Sequence, residues 1–129
     1  MNQDESAKKA GHLETFFYRV PKKNGDAIAK NLAQFVPWFE ENGVSIAYYK
    51  FEGMQDAPGM PMLSISKAIS ANDDEDVWVE LQYYRDSKHR DDTFAKMMKD
   101  KNLEQMGNEF FGLITKGSSL VTGSFSRLR

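Results

Sequence analysis

The chain has 129 residues, 40% hydrophobic and 28% charged, enough for one domain that buries a core without cross-links. It has no cysteine, which excludes disulfides, zinc–thiolate centres and thiol nucleophiles. A net charge of -2 argues against nucleic acid as a partner, because replacing phosphate counterions takes a basic face.

Residues 1–12 are polar and lack the apolar core of a signal peptide, so this stretch reads as a disordered tail or an added extension. No apolar run approaches the roughly 20 residues that span a bilayer. Together with the missing cysteines, this makes a cytoplasmic location the expectation.

Residues 13–20 (LETFFYRV) form a predicted strand, ended by Pro21 and the Lys22-Lys23-Asn24-Gly25 run. Over 26–42, Ile28, Leu32, Phe35, Val36 and Phe39 share one helical stripe. Pro37 sits inside it, and the expectation is one kinked helix. Residues 44–52 are a second strand. Residues 53–61 are a loop, and 62–71 fit an edge strand or a short helix equally.

After the acidic turn at 72–76, residues 77–84 (VWVELQYY) give the clearest alternation. Residues 87–101 form a helix with Ser87 as N-cap. Residues 103–114 keep helical spacing through Leu103, Met106, Phe110 and Leu113, interrupted by Gly107 and Gly112. The last strand is 119–128, with Gly123 as a bulge or close-approach point.

The order β-α-β-β-α-β is the α+β, ferredoxin-like arrangement: an antiparallel sheet with helices on one face, formed by a single domain over 13–129. Bulky side chains fall on both sides of the strands. Phe16 and Tyr18 oppose Leu13 and Phe17, while Trp78 and Tyr84 oppose Val77, Val79, Leu81 and Tyr83. An antiparallel sheet facing water should be polar on that side. Both faces are therefore expected to be covered, most simply by a second copy in a homodimer. Folding of residues 53–71 over a monomer is the alternative.

The stretch 77–106 resembles the bacterial and archaeal family catalogued as domain of unknown function 1428. It shows a hydrophobic strand ending in Tyr84, the pair Arg90-Asp91, and the helix end Lys96-Met97-Met98. Val20-Pro21-Lys22, Trp38, Glu41-Asn42-Gly43 and the final Gly123-Ser124-Phe125 are similar to that family as well. The likeness covers residues 13–128. It departs at the polar tail and at Asp100-Lys101-Asn102, where the family pattern is Asp-Pro-Arg. The resemblance implies a dimeric α/β barrel, a superfamily that includes small monooxygenases, haem-degrading enzymes and proteins without known chemistry.

Glu80 is the leading candidate acid or base. It shares a strand face with Trp78 and Tyr84 that should be covered, and a covered carboxylate takes a partner or a raised pKa. An ion pair with a Lys or Arg of a partner copy is the plainer reading. His89 and Arg90, near the start of the second helix, are further catalytic candidates against a solvated first turn. Trp38, Tyr48, Trp78 and Tyr84 are candidates for lining a ligand pocket, against ordinary core packing.

A metal site is not expected. The two histidines, His12 and His89, lack pair spacing, and residues 73–76 lack the glycine and terminal glutamate of a calcium loop. The leading function is a homodimer that binds a small apolar or aromatic ligand. The alternatives are a cofactor-free monooxygenase-like enzyme and an RNA-binding sheet. No residue pattern names a cofactor, a substrate or a pathway.

Overall fold

A computed structural model describes residues 3–55, 57–117 and 120–129. Met1 and Asn2 of the expected tail, Asp56 of the loop and Ser119 of the last strand lie outside the described residues. The chain is α+β, with a four-stranded antiparallel sheet in the order β2-β3-β1-β4, compatible with the ferredoxin-like arrangement. The strands are β1 (His12–Pro21), β2 (Ser45–Lys50), β3 (Glu75–Tyr84) and β4 (Leu120–Ser126).

Four helices pack on one face of this sheet: α2 (Gly25–Ala33), α3 (Val36–Glu41), α5 (Ser87–Met97) and α6 (Lys101–Leu113). The face is chosen by strand alternation. Phe16, Tyr18 and Val20 of β1, Ile46 and Tyr48 of β2, Trp78 and Tyr84 of β3, and Leu120 of β4 all point to the helices. Two apolar clusters result. One joins Tyr18 and Val20 to Ile28, Leu32 and Ile114. The other joins Ile46 and Tyr84 to Phe39 and Val44.

The single kinked helix expected over 26–42 is instead two helices separated by Gln34 and Phe35. Pro37 falls in the first turn of α3, where its missing N–H costs nothing, so the chain restarts rather than bends. Gly43 then leaves α3 at φ +74°, a conformation that favours glycine, and Val44 N–H returns to Phe39 O at 2.9 Å.

Asp86, not Ser87, caps α5, accepting from His89 N–H at 2.7 Å. Asp100 caps α6 through the amides of Asn102 and Leu103. Asn31 and Asn24 bind α2 to α6 by donating to Met106 O and Leu113 O. Gly123 stays in register opposite Thr15 without a bulge, and a Cβ there would lie 3.2 Å from the Phe125 ring.

Residues 3–9, expected to belong to a disordered tail, carry a helix, α1 (Gln3–Lys9), and β1 begins already at His12. Ala7, Lys8 and Lys9 are good helix formers. The buried Ala10 and the Gly11 N–H to Arg85 O bond of 3.1 Å tie the segment to the end of β3. The ambiguous 62–71 stretch is one helical turn, α4 (Ile65–Ala68), capped by Ser64. No helix among the described residues is long and apolar enough to cross a membrane.

Candidate functional site

The sheet and its helix layer do not close completely. Between them lies a cavity of about 350 Å³. Phe16, Tyr18, Glu80 and Gln82 form its floor on β1 and β3; Leu32, Phe39, Phe94 and Phe110 form walls on α2, α3, α5 and α6. Met98 and Phe111 stand at the rim and are exposed, 85% and 55% respectively. Gly107 of α6 also lines the space, and a Cβ placed there would meet nothing within 4 Å. Glycine in a helix interior costs about 1 kcal/mol relative to alanine, so its presence here favours open volume over helix stability.

Glu80 is the one ionisable carboxylate on this floor. It lies in register with Phe16 on one side and Tyr48 on the other. Burial pushes its pKa up to about 7, and a hydrogen bond from Gln82 Nε2 only partly opposes that. Gln82 is held in turn by Tyr84, whose hydroxyl donates to Gln82 Oε1 at 2.6 Å. The three side chains form a row along β3 that ends in the cavity. Tyr18 and Tyr48 are shifted upward, first by burial and then by the negative charge of Glu80, and Tyr84 by burial, then by the charges of Glu14 and Glu80. The hydroxyls of Tyr18 and Tyr48 are buried and make no hydrogen bond.

A second buried carboxylate, Glu14, sits on the same sheet face opposite Gln82. Its surroundings differ. His12 Nε2 donates to it at 2.9 Å, Ser124 Oγ lies 2.7 and 2.8 Å from its two oxygens, and the Arg90 guanidinium pairs with it directly. Burial alone would raise its pKa, but these hydrogen bonds and the Arg90 charge hold it below the usual carboxylate value.

The sequence candidates separate in space. Glu80 reaches the cavity. Arg90 does not line it. It anchors Glu14, pairs with Asp91 at 2.6 Å and lies 5.8 Å from the Phe94 ring centre. His89 is buried and fully used, accepting from Arg85 N–H at Nδ1 (3.1 Å) and donating from Nε2 to Asn42 O (2.7 Å). With both ring nitrogens committed, it latches the β3–α5 turn to the α3–β2 turn.

None of Trp38, Tyr48, Trp78 and Tyr84 lines the cavity. Trp38 packs edge-on against Phe39 at 5.3 Å, and Tyr84 is fully buried in the core. Tyr48 and Trp78 pack against the first apolar cluster. The actual aromatic lining comes from Phe16, Tyr18 and the helix phenylalanines. The His12–Glu14–Arg90–Ser124 cluster joins residues up to 110 positions apart, and no local motif marks it. Among the described residues no group of three or more His, Asp or Glu side chains is arranged to hold a metal ion.

A family profile described as "Protein of unknown function (DUF1428)" matches residues 11–112. The chain belongs to the DUF1428 family. No curated protein matches it. In this DUF1428 chain the matched region runs from β1 into α6, so it contains Glu14, Glu80, Gln82, Arg90 and Gly107. Leu120 of the cavity and Ser124 of the ion cluster lie beyond it, on β4.

Proposed function

We propose that this protein binds a small apolar or aromatic molecule in the cavity between sheet and helices, and that it does so as a homodimer. One observation carries the ligand reading: the cavity is walled by hydrocarbon, opens at an exposed apolar rim, and has a half-buried carboxylate at its floor. Concave apolar sites with few convergent polar groups are the usual form of a small-molecule site. Gly107→Leu tests it. The new side chain enters open space and improves the helix, so the fold should survive while uptake of an apolar fluorescent probe is lost. Unchanged probe binding in the folded variant would refute the reading.

The pairing rests on the other face of the sheet. There Phe17, Val79, Leu81 and Tyr83 are only half-buried, and Tyr49 and Phe125 are 59% and 54% exposed. An apolar row of this kind marks an association surface. The segment after α4 meets this face at its Arg19 end, where Arg19 Nη1 donates to Ser70 O at 3.0 Å, and α1 packs on β2 and β3 near Tyr83 at the other, which leaves the strip between them open. Native mass spectrometry should give twice the chain mass, and Val79→Lys should reduce it to one chain.

Glu80 favours a second reading, in which the bound aromatic is a substrate and the carboxylate is its general base. A base poised near neutral pH in an apolar pocket suits proton abstraction. Oxygen uptake with quinol-like substrates, abolished in Glu80→Gln, would support a cofactor-free monooxygenase-type reaction. No uptake with any of them would leave binding alone.

A further inference from the structure

The cavity floor has a charge pattern that restricts what the polar end of a ligand can be. Among the described lining residues there is no Lys, Arg or His. The cations on the helix-covered sheet face are elsewhere: Arg90 is committed to Glu14 and Asp91, and Lys50 is exposed at the end of β2. Lys96 of α5, exposed, donates to Asn42 Oδ1 at 3.2 Å. Glu80 therefore faces the cavity with a single neutral donor, Gln82. Beside it Tyr18, 0% exposed, presents a hydroxyl without any hydrogen-bond partner.

We infer that the cavity selects ligands whose apolar body ends in a neutral or cationic hydrogen-bond donor, an ammonium or hydroxyl, and rejects ligands ending in a carboxylate. This rests on the cavity being the ligand site. A donor head satisfies Glu80 directly, because Glu80 lines the cavity and has Gln82 as its hydrogen-bond donor. A cationic head adds an ion pair in a medium of low dielectric constant, where opposite charges attract far more strongly than in water. An anionic head would be buried next to a carboxylate with no cation to balance either group.

Three probes with one hydrocarbon body separate these cases: 4-phenylbutylamine, 4-phenylbutanol and 4-phenylbutyrate. Calorimetric titration at pH 8 into the wild-type protein should rank the amine tightest and the alcohol next, with the carboxylate at least tenfold weaker than the amine. In Glu80→Gln, which keeps shape and removes charge, the amine and the carboxylate should come within about threefold of each other. Equal wild-type affinity for amine and carboxylate, or a ranking that survives in Glu80→Gln, would overturn the selectivity while leaving the cavity as a binding site. Failure of all three probes to bind would overturn the ligand site itself, and the selectivity with it.

Discussion

Glu14, buried, and Glu80, half-buried against the cavity, lie on the same face of one sheet and differ most in their partners. Glu14 is met by a guanidinium, an imidazole and a hydroxyl from three other positions, and stays ionised. Glu80 is met by one amide, and is poised near pH 7. Burial sets the cost of a charge, while the partners decide whether that cost is met. The paired carboxylate holds the end of the sheet to α5. The poorly paired one is left with capacity for something else.

The contrast can be broken most severely at Arg90. Arg90→Met should strand the Glu14 charge and cost about 3–5 kcal/mol, read from urea denaturation at pH 7. Adding Glu14→Gln should recover most of that loss. If Arg90→Met alone is nearly neutral, Glu14 is not held by its ion pair.

Glu80 should behave in the opposite sense. Its folded-state pKa lies above the ordinary 4.5, so the folded protein binds this proton more tightly than the unfolded chain does. The resulting stability is complete below about pH 4.5 and is lost as pH rises to about 7, a difference of about 3 kcal/mol. Glu80→Gln should thus match wild type near pH 4 and exceed it by up to about 3 kcal/mol at pH 8. Parallel pH–stability curves for the two proteins would show that Glu80 is not poised.

The smallest effect is expected at Tyr84→Phe. It removes the donor to Gln82 Oε1 and should cost about 1 kcal/mol in thermal or urea unfolding. It should also steepen the pH dependence contributed by Glu80, because a Gln82 amide no longer held by Tyr84 opposes the upward shift of Glu80 less.

Much of this was legible from alternation alone. The strand around Val77–Tyr84, as it was read, put Glu80 on a covered face with Trp78 and Tyr84, and the side chain is indeed buried there. What covers it could not be read, because the cover is made by α2, α3, α5 and α6, whose packing is a tertiary outcome. The same limit explains the pocket aromatics. Trp38, Tyr48, Trp78 and Tyr84 stand out in the sequence, yet they pack into the core, and phenylalanines, methionines and Tyr18 line the space. Glu14 escaped notice because its partners come from β1, α5 and β4, far apart along the chain. Pro37 was seen as a break, but whether the helix bends or restarts depends on where the proline falls in the new turn.

The direction of the hydrogen bonds along β3 has a consequence for proton exchange. Tyr84 gives its hydrogen to the oxygen of Gln82, so the amide must turn its nitrogen toward Glu80. A primary amide in that orientation props the carboxyl group but is a poor conduit for protons. Exchange of the Glu80 proton with water therefore runs by way of the open cavity that Glu80 lines, rather than along the Gln82–Tyr84 row.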